Sequence, residues 1–429
     1  MEIFKIKVSG GYLLNLVTTF LSQACSAGLI IILTPVLQRK FSVDAFSNYG
    51  VLLNIILVAS AFDFGFNTGL LRRLIHEPVK ASVLVSSTFF LYWILFLVSI
   101  PVFFFLYSRN LLRTGDGFIA NALLTSLLVV QTMVAMLFDI ILQTTNRIFL
   151  GKLIRIGKVI LECVVLLACS SYNSPALLLL ASGAVNCLYI LTLFSFSRRH
   201  VVYRVSLKLF SWQALADHAR YSSWYFLNAI GMVLAFNSQI ILLNSVVSKA
   251  DVAKYILVSR FLDVVRLGAT NFTTILFPSL ALAQSRGEWA GLRKMYFMVL
   301  ARVIILSLLI LLFLLTAGRW IFRLWSGQAD GQIQELYTFL SVFTILIVID
   351  NVSSVFLHAF RLNRLQTIIS LGQGILALFI GSLLLTRLGI AGMAIGSITA
   401  LLLTNFIYNP AYLVSQFRKH VKSPPSHTQ

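Results

Sequence analysis

The chain has 429 residues, of which 59% are hydrophobic and only 11% charged, and its mean hydropathy is +0.90. Soluble domains carry about 25% charged residues, so this composition excludes a soluble fold. The formal net charge of +20 reads as Lys and Arg kept in cytoplasmic loops, the usual bias of membrane proteins. No nucleic-acid-binding motif accompanies that charge.

A bilayer core needs about 20 apolar residues per helical span, and an open sheet leaves its backbone unsatisfied in lipid. In chain order, the sequence predicts helical spans near 11–36, 46–71, 82–107, 118–143, 152–170, 174–196, 221–247, 253–282, 295–317, 334–358, 365–386 and 389–415. The expected fold is an all-α polytopic membrane protein with about 12 transmembrane helices. The N-terminus, Met-Glu-Ile-Phe-Lys-Ile-Lys, lacks a signal-peptide cleavage pattern, so the first span is expected to be retained. Cys25, Cys163, Cys169 and Cys187 all fall in apolar stretches without metal-ligand spacing, and no metal or cofactor is expected.

With the N-terminus inside, the cytoplasmic loops and span ends hold 23 basic residues and the opposite side nine. That asymmetry predicts both termini in the cytoplasm. The longest interruption, residues 197–220, mixes Arg and Lys with Val201, Val202, Leu207, Phe210 and Trp212. It reads either as an interfacial linker at the anionic leaflet or as an ordinary solvated loop. It divides the chain into a six-helix bundle at 1–196 and another at 221–416, followed by a disordered cytoplasmic tail at 417–429. SVDAFSNY at 42–49 and SKADVAKY at 248–255 align with an offset of 206 residues. Six spans per half with the same entry side make a parallel repeat, an arrangement found in transporters with the substrate site between halves.

Charged groups at bilayer depth are costly and tend to face a cavity or a partner. Arg260, Asp263 and Arg266 share one side of the eighth span. Asp263 neutralises one arginine, which leaves about one positive charge of the kind an anionic ligand needs. Arginine suits phosphate because its fork binds oxygens in pairs. A structural network locking neighbouring helices is the alternative. Lys158 and Glu162 stand at i, i+4 and read as a structural pair, or as a substrate contact beside an ion site. Asp63, Asp139 and Asp350 lie toward the cytoplasmic ends of their spans, where each is a candidate proton or cation site or a hydrogen-bond acceptor. Asn15, Thr18, Ser22 and Ser26 form a polar stripe on the first span that lines a wet cavity or bonds a neighbouring helix. Gly392 and Gly396 have the small-xxx-small spacing of close helix packing. No catalytic constellation is present, and the outer loops are short, so the chain is not expected to be an enzyme.

Residues 29–75 contain Thr34-Pro35, Tyr49-Gly50, Asp63-Phe64-Gly65 and Arg72-Arg73 in order. This order resembles the N-terminal signature of bacterial polysaccharide exporters, and NRIFLGKLIRIGKVI at 146–160 looks like their entry to the fifth span. The match is to the O-antigen flippase (Wzx-type) group of the multidrug/oligosaccharidyl-lipid/polysaccharide (MOP) superfamily. The resemblance implies a fold like that of multidrug and toxic compound extrusion (MATE) transporters: two pseudo-symmetric six-helix bundles forming a V around a cavity. It implies an undecaprenyl-diphosphate-linked oligosaccharide as substrate, flipped across the bacterial inner membrane by alternating access. A cationic cavity accepts the charged head in this family, a role that Arg260 and Arg266 fit, with Lys158, Asn15 and Ser22 as further substrate contacts. Antiport of H+ or Na+ would use Asp263, Asp63, Asp350 or Glu162. Membrane lipids and other polysaccharide-assembly membrane proteins are the remaining expected partners. A multidrug cation antiporter of the same fold is the main rival, and the arginine pair argues against it. A membrane polysaccharide polymerase or ligase would need the large external loop that this chain lacks.

Overall fold

The computed structural model describes residues 10–422, apart from 110–111, 113–117, 145–146, 275, 277–279, 281–282, 285, 329 and 361. Every regular element among the described residues is helical. Contacts divide the chain into two compact units, residues 1–226 and 227–429.

The first unit contains α1 (Gly10–Lys40), α2 (Val43–Ser60), α3 (Phe66–His76), α4 (Ala81–Ser108), α5 (Phe118–Thr144), α6 (Ile148–Cys169), α7 (Pro175–His200) and the start of α8 (Trp212–Phe236). Helix α5 packs against α2, α3, α4 and α7, which is why Leu137, Ile141 and Leu142 are fully buried. The second unit holds the rest of α8, then α9 (Ser238–Val246), α10 (Lys249–Thr274) and α11 (Trp289–Phe313). A π-turn at Leu314–Gly318 joins α11 to α12 (Arg319–Ser326). Then come α13 (Gly331–Ala359), α14 (Asn363–Leu388), α15 (Ala391–Leu403) and α16 (Asn405–Lys422). Helix α13 is the central element of this unit and packs on α10, α11, α15 and α16.

Nine helices among the described residues are long and apolar enough to cross a membrane, or ten if the bent pair α8–α9 is one span. The other two of the twelve expected spans correspond to α6 and α10. These carry the Lys158–Glu162 and Arg260–Asp263–Arg266 groups, which lower their hydropathy.

Three expected spans differ in form. The second, 46–71, is broken between Ser60 and Phe66. Phe64 (φ 56°) and Gly65 (φ 71°) are both left-handed, a conformation that no right-handed helix continues. A Cβ at Gly65 would lie 2.6 Å from the Ser222 carbonyl oxygen, so only glycine fits there. The seventh, 221–247, bends by 45° at Asn237. The last breaks at Thr404 and runs on to Lys422. Residues 417–422, expected in the disordered tail, are helical because Leu413 and Phe417 are fully buried beside Tyr296 and Phe356. Residues 423–429 lie outside the described set.

The two segments of the sequence repeat adopt the same local structure. Ser42 Oγ accepts the Ala45 N–H at 3.2 Å and Ser248 Oγ accepts the Asp251 N–H at 3.2 Å, so each serine caps the helix that follows. Tyr49 and Tyr255, seven residues on in each case, are both buried.

The 197–220 segment is a strap followed by a helix. Residues 202–206 have no regular secondary structure, a short 3-10 turn covers Leu207–Leu209, and α8 begins at Trp212. Serines of α4 take the place of a neighbouring strand. Ser82 Oγ accepts the Arg204 N–H at 3.1 Å, and Ser86 Oγ donates to the Arg204 carbonyl at 2.9 Å. Ser86 Oγ also accepts the Ser206 N–H at 3.2 Å, and Ser87 Oγ accepts that of Ser211 at 3.0 Å. Val202, Leu207 and Trp212 point outward and are exposed.

Candidate functional site

The site builds from α10. Residues 260, 263 and 266 fall on one helical face, and Asp263 sits between the two guanidiniums. Arg266 Nη2 lies 2.8 Å from Asp263 Oδ1, and Arg260 Nη1 lies 3.6 Å from Oδ2. Two cations on one carboxylate leave a formal charge of +1 on the group. The Arg266 guanidinium also lies 5.0 Å from the centre of the Phe236 ring, at the end of α8.

Arg266 lines a cavity of about 440 Å³ that lies wholly within the second unit. Its walls are α8, α10, α13 and α14, with Leu401 and Asn405 from the broken last span. Asp350 and His358 on α13 line the same cavity. Asp350 is held by two neighbours: Asn409 Nδ2 donates to Oδ1 at 3.1 Å and Ser354 Oγ to Oδ2 at 3.4 Å. Arg260 is not a lining residue, because it sits almost two turns further toward the start of α10. The structure therefore separates the arginine pair: Arg266 both lines the cavity and makes the shorter pair with Asp263, and Arg260 holds the carboxylate's other oxygen away from the cavity.

The remaining wall is rich in amides that the sequence reading did not single out. Gln366, Ser370 and Gln373 stand on one face of α14, and Asn405 opposes them from α16. Asn405 Nδ2 donates to Gln373 Oε1 at 2.5 Å and to Ser370 Oγ at 3.3 Å. The i, i+4, i+7 spacing of these three α14 residues is the same signal that marks the polar stripe of α1.

The other sequence candidates lie in the first unit. Asn15 Oδ1 accepts the Phe149 N–H at 2.8 Å, so α1 caps the start of α6. Ser22 is buried on the same helix, at 1% exposure. Lys158 and Glu162 form a 2.5 Å ion pair, and Lys158 borders a separate crevice of about 230 Å³ between α6 and α7. Asp63 accepts the Gly65 N–H at 2.8 Å and the Asn67 N–H at 3.2 Å, which caps α3 after the break. Both of its oxygens are engaged in shaping the chain. Asp139 receives Gln143 Nε2 at 3.0 Å and faces Lys152 at 3.9 Å. Among the described residues, no cluster of His, Cys, Asp and Glu has metal-holding geometry.

No protein-family model matches the chain, and no curated protein matches it. Solved structures do. An inward-facing multidrug resistance MATE family transporter of the MOP superfamily superposes with a TM-score of 0.74 at 14% identity, over 92% of this chain and 96% of that one. An outward-facing multidrug resistance MATE family transporter gives 0.66 at 15% identity, over 96% and 100%. A MOP superfamily transporter from Pyrococcus furiosus, described as having a binding pocket of reverse polarity that suggests a different function, gives 0.64 at 13% identity, over 97% and 99%. These matches run nearly end to end, so the chain has the MATE-like fold. At such identities they establish the fold alone.

Proposed function

We propose that this protein is an alternating-access flippase for an undecaprenyl-diphosphate-linked oligosaccharide in the bacterial inner membrane. The observation that carries the reading is Arg266, a cation set against Phe236 on the wall of a 440 Å³ cavity that several amides also line. A diphosphate is the headgroup that such a guanidinium binds best, through paired oxygens. The cavity size lies in the range of small-molecule sites, roughly 300–1,000 Å³. The Pyrococcus furiosus relative in fold is described as differing from other such transporters in pocket polarity. Cavity charge is thus a property that varies on this scaffold, and here it includes an arginine. Asp350 beside the same cavity makes the cycle sensitive to H+ or Na+.

A second reading, a multidrug or cation antiporter, is favoured by that same Asp350 and by the MATE transporters that share the fold. Reconstitution in proteoliposomes separates the two. The flippase reading expects transfer of a fluorescent undecaprenyl-diphosphate oligosaccharide to the opposite leaflet, without uptake of ethidium or norfloxacin. Transport of those organic cations without lipid transfer would sink it.

A further inference from the structure

We infer that the cavity of the second unit is a sugar subsite, in which the amide wall of α14 and α16 reads donor groups of one residue of the oligosaccharide. The inference rests on the flippase reading and adds where the sugar sits. Buried polar atoms are nearly always hydrogen-bonded. Two atoms on this wall break that rule: Gln366 Oε1 and Asn405 Oδ1 have no partner, although the residues are only 4% and 7% exposed. Both are acceptors. Asn405 has already committed its Nδ2 to Gln373 and Ser370, so its Oδ1 is held in a fixed position.

Two buried acceptors held in place select a ligand that brings O–H or N–H groups to them. A hexose or acetamidohexose does so on several carbons. A quaternary ammonium drug and a polyprenyl chain bring none. Met232, Val233 and Leu401 also line the cavity and offer apolar surface to the C–H face of a pyranose ring. Arg266 on α10 is a separate wall and suits the phosphate end. Helix α13 ends and α14 begins on the side that the loop charges mark as cytoplasmic. Gln366 and His358 therefore lie near the face on which a lipid-linked sugar would be presented.

The test measures ligand-induced thermal stabilisation of the full chain in detergent with two probes. One is undecaprenyl diphosphate without sugar. The other is the lipid-linked oligosaccharide extracted from the producing bacterium. Wild-type protein should bind both, the second more tightly. Gln366→Met, which keeps side-chain length and removes the acceptor, should lose about tenfold in affinity for the oligosaccharide lipid and nothing for undecaprenyl diphosphate. Gln366→Glu, which keeps an acceptor, should retain the preference and controls for folding. If Gln366→Met preserved the full wild-type preference, the sugar subsite would be wrong while the flippase reading stood. If wild-type protein bound neither probe, both would fall.

Discussion

Arg266→Ala should separate cargo binding from folding. In the wild type, Asp263 holds Arg266 at 2.8 Å and Arg260 at 3.6 Å. Removing Arg266 leaves the carboxylate still facing one guanidinium, so insertion and melting temperature should change little. The lost interaction with a phosphate is charge-assisted and contributes about 1.5–3 kcal/mol, which corresponds to roughly a 10- to 100-fold loss. The assay is initial flipping rate in proteoliposomes at matched protein content, alongside the melting temperature in detergent. Arg266→Lys keeps the charge without the fork and should recover only part of the rate. Arg260→Ala should reduce the rate less, because Arg260 does not line the cavity. The double alanine variant strands Asp263 without a cation and should lower the melting temperature, which Asp263→Asn should restore. A flipping rate within twofold of wild type in Arg266→Ala would refute the assignment of this side chain to the cargo.

Other perturbations test the frame around the site. A Cβ at Gly396 would stand 2.4 Å from the Gly381 nitrogen, so Gly396→Ala must push α14 and α15 apart by about 1 Å; overpacking of this kind costs about 1–3 kcal/mol and should lower the melting temperature measurably. His218 is fully buried ahead of the apolar part of α8, with Nε2 3.0 Å from the Phe66 carbonyl, and burial lowers its pKa to about 4. A depressed histidine favours the fold above its unfolded pKa of about 6.5, and the benefit is lost as pH falls from there toward 4. The melting temperature should therefore drop between pH 7 and pH 5, and His218→Gln should flatten that drop. Ser86→Val removes two of the four strap hydrogen bonds at once, so limited trypsinolysis at Arg204 and Lys208 should accelerate severalfold while the helices stay intact.

The helical spans were legible because lipid imposes one length and one backbone solution on every crossing segment. Their interruptions were less so. The break at Asp63-Phe64-Gly65 depends on two left-handed residues and a carboxylate cap, and a window of average hydropathy passes straight over FDFGF. The kink at Asn237 and the break at Thr404 sit inside apolar runs in the same way. Within the site, charge was visible and register was not. Arg260, Asp263 and Arg266 could be placed on one face, but which arginine meets the cavity depends on the packing of α8, where Phe236 lies under Arg266. The amides of α14 were overlooked because neutral side chains stand out less than charges in an apolar span, although their spacing was there to read. Asn15 and Asp63 show a use that spacing alone does not reveal: their side-chain oxygens accept backbone N–H groups at helix starts.

Arg266 and Asp350 share one small cavity, and that has a thermodynamic sign. An ionised Asp350 weakens the hold of Arg266 on a phosphate, and protonating Asp350 removes the penalty. Linkage is reciprocal, so an anionic cargo bound here, as proposed, and a proton on Asp350 would assist each other's binding. Ligands that bind together travel together; exchange requires ligands that exclude each other. Under the proposed function, Asp350 would therefore carry a proton along with the cargo rather than swap one for it. The membrane voltage supplies a drive that needs no such swap. With the inside negative, each negative charge leaving the cell gains about 2.3 kcal/mol per 100 mV. A diphosphate headgroup that crosses with its charge only partly neutralised is pushed outward by the potential itself.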